Sequence, residues 1–248
     1  MSVKEVVKSL LPETILKAIR SYRSRRESKE YHDLTQVFTR IYEKGVWGKS
    51  ADQAQKFFSG SGSHQTEIVS AYIAAVQEFF ASLEAKPDVV DLGCGDFNVG
   101  VNIRGFCGRY VACDIVPSLI DFNKEKYKAD KVDFRVLDLS QDELPSADVL
   151  FIRQVLQHLS NEHIKRAIPK IAANYRYLVL TEHLPDTDNF IPNLDKPAGA
   201  GVRVAFDSGL VLTESPFNLK VKAERVLCEV PEYGPNRGRI RTMLYHLA

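Results

Sequence analysis

The chain has 248 residues, 44% of them hydrophobic and 26% charged, which predicts a soluble globular protein with one large core and an extension. A net charge of +1 argues against a nucleic-acid partner, because dedicated DNA binders carry a strong basic excess. No apolar run approaches the roughly 18 residues of a membrane span, and residues 1–11 lack the apolar core of a secretory signal. These features predict a cytoplasmic location.

The first 62 residues are predicted to form a helical extension and lid, and residues 63–248 the main domain. Residues 1–30 combine apolar positions at helical spacing with a run of basic side chains. This pattern favours a solvated helix docked on the core, and it leaves open a weak contact of residues 1–28 with an anionic membrane surface. The sequence does not indicate an oligomeric state.

A second helix is expected over residues 31–50, followed by a flexible loop of glycines and small hydroxyl residues. Ser63 is expected to cap the next helix, in which apolar residues repeat at intervals of three and four. Lys86 and Pro87 end this helix.

After Pro87 the pattern changes to short β-rich runs that alternate with helical stretches. Strands are predicted over 88–92, 110–113, 132–137, 148–152 and 175–181. Helices are predicted between them, over 98–105, 117–128, 141–145 and 160–173. Two late runs, 220–230 and 239–247, have no helix between them and are expected to pair antiparallel at the sheet edge. The fold class predicted is α/β, a Rossmann-like, doubly wound, mostly parallel seven-stranded sheet with an N-terminal helical extension.

Residues 184–217 form a long segment rich in Pro, Gly and Asn, which is expected to lie at the carboxyl side of the sheet. Loops of this length without regular structure are often binding elements. The segment contains polar side chains, Arg203 and Asn193 among them, that suit a ligand rich in hydroxyl groups. Arg203 is therefore predicted to contact the substrate.

Two glycines, Gly93 and Gly95, directly follow the first predicted strand. Ligands of open parallel sheets bind outside the carboxyl ends of the strands, and glycine lets the backbone approach them closely. A dinucleotide site requires a third glycine, and this chain has Asn98 there. Asp96 would also repel a pyrophosphate. Both residues argue against NAD or FAD.

The strand ends instead resemble the class I S-adenosylmethionine-dependent methyltransferase family. The run Asp91-Leu92-Gly93-Cys94-Gly95 is similar to the family's first motif, and Asp114 and Asp138 stand at the ends of the second and third strands. The segment "ADVLFIRQVLQHLS" looks like the fourth motif. The resemblance covers about residues 87–182. The cofactor implied is a sulfonium without phosphate, which suits a cleft lined by acids.

The resemblance also implies the cofactor-binding residues. Asp91, Gly93, Cys94 and Gly95 would shape the methionine pocket, and Asp114 would accept hydrogen bonds from the ribose diol. The residues expected near the adenine or elsewhere along the cofactor are Ile115, Asp138, Leu139 and Arg153.

The acceptor of the methyl group is indicated less directly. Methylases of nucleobase amino groups carry an Asn/Asp-Pro-Pro-aromatic motif after the fourth strand, and this chain has Ile152-Arg153-Gln154-Val155 there. An alcohol acceptor needs a positioned base because its pKa is high, and the candidate catalytic residues are His158, Glu182 and His183.

No metal is predicted. A site for a divalent ion formed by Glu182, His183 and Asp186 remains an alternative. The four cysteines match no zinc spacing and are expected to be free thiols.

Residues 38–63 resemble a segment that precedes the cofactor domain in methyltransferases of sugar and glycan biosynthesis. On physical grounds we expect Trp47 to stack on a sugar substrate or on adenine, and Ser61 to bind a substrate hydroxyl or the cofactor carboxylate. We therefore predict methyl transfer from S-adenosylmethionine to an oxygen of a small, sugar- or glycan-like molecule. The alternatives are N-methylation of a small amine or protein, and cofactor binding without catalysis.

Overall fold

The computed structural model describes residues 33–50, 55–233 and 237–248. Its centre is a seven-stranded sheet, and the strands in chain order are β1 (Val89–Leu92), β2 (Tyr110–Asp114), β3 (Asp133–Val136), β4 (Val149–Arg153), β5 (Tyr177–Leu184), β6 (Val221–Glu232) and β7 (Gly238–Leu247). Their order across the sheet is β3-β2-β1-β4-β5-β7-β6. The predicted fold class is confirmed.

Strands β1 to β5 are parallel, and β7 pairs antiparallel with both β5 and β6, as the two late runs predict. The residues of β1 are all buried, which matches its apolar run and the burial of both faces in a parallel sheet. The chain moves outward from β1 to β2 and β3, then returns to place β4 on the other side of β1. This reversal makes the carboxyl end of β1 the point where a ligand cleft is expected.

Five α-helices surround the sheet in the described part of the chain. They are α1 (Leu34–Glu43), α2 (Thr66–Ala81), α3 (Gly100–Ile103), α4 (Pro117–Lys126) and α5 (Asn161–Asn174). The apolar side of α1 packs into the main core through Leu34, Phe38 and Ile41. None of the helices in this part of the chain is long and apolar enough to cross a membrane. The predicted basic N-terminal helix lies outside the described residues.

Two local predictions are wrong. Ser63 does not cap α2, because it belongs to a short 3-10 helix, Ser61–Ser63, and its hydroxyl accepts from Arg153 Nη1 at 3.1 Å. Residues 141–145 form no helix. Asp138 accepts from the Ser140 N–H at 2.8 Å, and Asp142 accepts from the Asp138 N–H at 2.8 Å. Such bonds from acidic side chains favour a turn over a helix.

The long segment after β5 lies at the carboxyl side of the sheet and contains one regular piece, the 3-10 helix Arg203–Phe206. The side chain of Asn193 organises it by accepting from Val211 N–H at 2.9 Å and donating to the carbonyls of Val211 and Ser215. Asn193 is buried and fully used in these bonds, so it holds the loop and is not available to an acceptor.

Candidate active site

A cavity of about 460 Å³ opens at the carboxyl ends of the central strands. Asp91 of β1, Asp114 of β2 and Asp138, which follows β3, all line it. The acids at three successive strand ends therefore share one cleft, as the sequence predicts.

The glycine loop after β1 can be built only with glycine at two positions. Gly93 and Gly95 have φ angles of 76° and 56°. A Cβ on Gly93 would lie 2.3 Å from Val155 Cγ2, and one on Gly95 would lie 2.4 Å from Ser59 Oγ. The backbone N–H groups of Gly93 and Cys94 donate to the Cys113 carbonyl, which fixes the loop to the end of β2. The loop therefore brings backbone to the cavity wall where side chains would not fit.

Asp114 is held so that both carboxylate oxygens remain usable. One oxygen accepts from the Gly95 N–H and the other from the Val116 N–H, each at 3.1 Å. A carboxylate oxygen has a second acceptor position, so the pair can still take two hydrogen bonds. Burial raises the pKa of Asp114 to about 6. This geometry fits a vicinal diol in the cavity.

Asp91 and Arg153 form the wall between β1 and β4. Asp91 accepts from the Tyr110 hydroxyl at 2.9 Å, and burial raises its pKa to about 7. The Arg153 guanidinium lies 5.2 Å from the centre of the Tyr72 ring and donates to the Gly62 carbonyl. Arg153 therefore connects the end of β4 to the loop that precedes α2.

Asp138 shapes the turn after β3. Its Oδ1 accepts from the N–H and the hydroxyl of Ser140, at 2.8 and 2.7 Å, and its Oδ2 accepts from Gln141 Nε2 at 2.8 Å. One acceptor position therefore remains, on Oδ2. Leu139 and Ile115 line the same part of the cavity and give it an apolar surface.

Asp96 anchors residues 55–64, the segment we call the lid. Its Oδ2 accepts from the Ser59 N–H at 3.1 Å and from Gln55 Nε2 at 3.3 Å, and it lies 2.7 Å from His64 Nε2. Ser59 Oγ in turn accepts from the Asp96 N–H at 2.8 Å and lies 3.0 Å from the Tyr42 hydroxyl. The sequence analysis missed this role, because the partners of Asp96 lie more than 30 positions away along the chain.

Trp47 and Ser61, the two substrate residues predicted from the N-terminal segment, both line the cavity. Trp47 Nε1 donates to the Ala200 carbonyl at 3.5 Å, and its ring centre lies 5.0 Å from that of His158. Trp47 thus gives this part of the cavity wall an aromatic surface.

His158 lies in the short 3-10 helix Leu156–His158, which follows β4, and its side chain is buried in the cavity wall. Burial, reinforced by the ammonium of Lys196, lowers the pKa of His158 to about 3. The imidazole is therefore neutral at physiological pH and keeps one ring nitrogen as an acceptor, and its lowered pKa makes it a weaker base than an exposed histidine.

His183 lines the cavity, but Glu182, its neighbour on β5, does not. Successive residues of a strand point to opposite sides of the sheet, and here the side chain of Glu182 is on the side away from the cavity. The Glu182 carboxylate accepts from the Gln157 N–H at 3.2 Å, behind the His158 turn. Burial raises the pKa of Glu182 to about 8, although the charge of Arg203 opposes the shift.

Arg203 also lies behind the cavity wall and not in it. Its guanidinium donates to the carbonyls of Leu156 and Leu159, both at 2.9 Å, and to Asn161 Oδ1 at 2.7 Å. A buried guanidinium needs partners for its donors, and here three oxygens of residues 156–161 accept from Nη1 and Nη2, while Nε has no partner among the described residues. The expectation that Arg203 contacts the substrate is therefore corrected, because it supports the turn that carries His158.

Metal-binding side chains do not cluster in the described residues, where no group of three or more His, Cys, Asp or Glu could hold an ion. All four cysteines have free thiols. The acids at the ends of β1, β2 and β3 suit a cation and a diol and would repel a phosphate bound beside them. The site thus fits S-adenosylmethionine better than a dinucleotide.

Comparison with known proteins agrees with this geometry. Residues 90–176 match a family model described as a methyltransferase domain. No curated protein matches the chain in sequence. The N-methyltransferase NodS from Bradyrhizobium japonicum, solved with S-adenosylhomocysteine, is 12% identical with a TM-score of 0.58, over 85% of this chain and 98% of its own.

Two further structures have the same fold. Magnesium protoporphyrin IX methyltransferase from Synechocystis, with bound S-adenosylmethionine, is 12% identical with a TM-score of 0.53, over 87% of this chain and 98% of its own. The N-terminal domain of EvdMO1, solved in the presence of S-adenosylhomocysteine and D-fucose, is 14% identical with a TM-score of 0.54, over 85% of this chain and 96% of its own. Residues 90–176 therefore form a methyltransferase domain, and the chain shares its fold with structures of S-adenosylmethionine-dependent methyltransferases.

Proposed function

We propose that this methyltransferase acts on a hydroxyl oxygen of a small, sugar-like acceptor. The observation that carries the proposal is the position of the His158 imidazole, which lines the cavity with its ring centre 5.0 Å from that of Trp47. A sugar hydroxyl has a high pKa and needs a base, and an aromatic ring suits the apolar face of a sugar. The presence of D-fucose in the crystals of EvdMO1, which has the same fold, is consistent with an acceptor of this class.

The cofactor supplies a methyl group activated on a sulfonium sulfur. We propose that Asp114 accepts from its ribose hydroxyls, with Ile115, Leu139 and Asp138 around the adenine. Asp91 and the loop Gly93–Gly95, which includes Cys94, border the methionine part, and Arg153 fixes the wall between them. These residues position the methyl group, and positioning is expected to be a large part of the catalysis.

On the acceptor side, His158 is proposed as the base that takes the hydroxyl proton. His183 lines the same cavity and is the second candidate. Trp47 and Ser61 are proposed to contact the acceptor. Glu182 is proposed to act through His158, because its carboxylate accepts from the backbone of the turn that presents the imidazole.

The proposal is tested by measuring transfer of a labelled methyl group to a panel of sugars and small amines, with NMR assignment of the product. We expect methylation of a sugar oxygen. Methylation of amines alone would establish the N-methyltransferase alternative. Tight cofactor binding without transfer to any acceptor would favour a non-catalytic role.

Asp114→Ala should weaken cofactor binding by about 1–3 kcal/mol, a Kd increase on the order of 5- to 150-fold, because two hydrogen bonds to a charged acceptor are lost. Titration calorimetry with S-adenosylhomocysteine measures the change. Asp121→Ala is the matched control, since its side chain is 76% exposed on α4. Equal affinities for the wild type and Asp114→Ala would remove Asp114 from the ribose role.

Asp96→Asn should loosen the lid, because the carboxylate that accepts from Ser59, Gln55 and His64 loses its charge. Hydrogen exchange of residues 55–64 should speed up, and cofactor affinity should fall about 5- to 30-fold, as expected for ~1–2 kcal/mol of lost bonding. His64→Gln retains a side-chain N–H donor and should have a smaller effect. Unchanged exchange in Asp96→Asn would show that Asp96 does not hold the lid.

A further inference from the structure

Lys196 is a buried cation in the cavity wall that the roles above leave unused. It lies in the long segment after β5, is 5% exposed and lines the cavity. Its Nζ donates to the His158 carbonyl at 3.3 Å, and this is its one hydrogen bond within residues 33–50, 55–233 and 237–248. An ammonium has three N–H donors, so two remain for a ligand.

The charges around Lys196 do not neutralise it. No carboxylate oxygen of the described residues lies within 4.0 Å of Nζ, and the Arg203 guanidinium adds a second positive charge nearby. The neighbouring Asp195 is directed elsewhere, since its Oδ1 accepts from the backbone N–H groups of Asn161 and Lys196. Burial, together with Arg203, lowers the pKa of Lys196 to about 7, although Asp195 opposes the shift, and a bound anion would favour the protonated form.

A buried ammonium without a counter-ion is costly, and an anionic ligand in the cavity would remove that cost. The cavity supplies the rest of such a site. The Trp47 ring lies against His158, whose carbonyl accepts from Lys196, and Trp47 Nε1 donates to Ala200, four positions after Lys196. The cation, the aromatic surface and the proposed base therefore lie together.

Building on the proposed function, we propose that Lys196 selects an acceptor that carries an anionic group, a carboxylate or a phosphate, and pairs with it while the acceptor hydroxyl faces His158. This makes Lys196 a specificity-determining residue. A sugar acid and a sugar phosphate present the same chemistry to the ammonium, so the experiment distinguishes them.

The single tryptophan of the chain, Trp47, reports on the site through its fluorescence. Protein saturated with S-adenosylhomocysteine is titrated with D-glucuronate, D-glucose 6-phosphate and neutral methyl α-D-glucopyranoside at constant ionic strength. We expect saturable changes with at least one anionic sugar and weaker binding of the neutral one. The anion that binds more tightly identifies the carboxylate or the phosphate as the preferred group.

Lys196→Gln should raise the half-saturation concentration of the anionic sugar about 10-fold or more, since a charge-assisted hydrogen bond is lost, and Lys196→Arg should retain most of the affinity. Lys165→Gln, at an exposed position of α5, is the matched control. The comparison of anionic and neutral sugars in the wild type needs no variant, so it stands even if Lys196→Gln folds poorly.

Three results would overturn the role of Lys196: equal binding of the neutral sugar, an unchanged titration in Lys196→Gln, or no response to any of the three sugars. If Lys196 were instead a general base, Lys196→Gln would leave the sugar titration unchanged and would lower kcat. Methyl transfer to a neutral sugar would separate the two proposals, because it would retain the proposed function and reject the anionic acceptor.

Discussion

His158→Gln should lower kcat for methylation of a hydroxyl acceptor by about 10²- to 10⁴-fold, the usual contribution of a positioned base. Glutamine fills similar space but cannot take the proton. Cofactor affinity should change little, because the predicted cofactor residues lie on the loops after β1, β2 and β3 and at Arg153. Single-turnover kinetics with saturating cofactor measure the effect.

The pH dependence provides a second test of His158. Its pKa of about 3 keeps the imidazole neutral, so activity should not fall between pH 7.5 and 5.5 through protonation of this side chain. An exposed histidine would lose its base form near pH 6.5. His246→Gln, on β7 away from the cavity, is the control and should leave kcat unchanged. A kcat within threefold of wild type in His158→Gln would exclude His158 as the base.

Arg203→Met should destabilise the protein by about 3–5 kcal/mol, because several buried oxygen atoms lose the charged donor that satisfies them. Arg203 is 1% exposed, and its loss leaves the carbonyls of Leu156 and Leu159 and the side-chain oxygen of Asn161 without this donor. Urea unfolding at pH 7 measures the change in the free energy of unfolding.

A double variant shows whether Glu182 and Arg203 act together. Arg203→Met combined with Glu182→Gln should lose less stability than the sum of the two single variants, because the electrostatic interaction between the two side chains is then lost only once. Arg166→Met is the control, since Arg166 forms an exposed pair on α5 whose loss should cost under about 1 kcal/mol. A loss of less than about 1 kcal/mol of unfolding free energy in Arg203→Met would show that Arg203 does not hold the turn that carries His158.

The sheet and the cofactor end of the cavity could be predicted because their signals are local. Short buried strands are visible as apolar runs, and Asp91, Gly93 and Asp114 follow those runs directly. The parallel order then brings the strand ends together. Each of these residues can therefore be placed from the predicted strand next to it in the sequence.

The acceptor end could not be predicted in the same way, because its contacts join distant parts of the chain. Arg203 reaches back 47 positions to Leu156, and Asp96 meets His64 across 32. No spacing rule encodes such pairs. Glu182 and His183 point to opposite sides of β5, but the sequence alone does not indicate which of them faces the cavity.

The arrangement proposed for the cavity is tested most directly by a crystal structure with S-adenosylhomocysteine bound. We expect the ribose hydroxyls on Asp114 and the sulfur facing the space bounded by Trp47, His158 and Lys196. A ribose bound away from Asp114, or a sulfur separated from that space by protein, would contradict both the cofactor assignment and the proposed position of the acceptor.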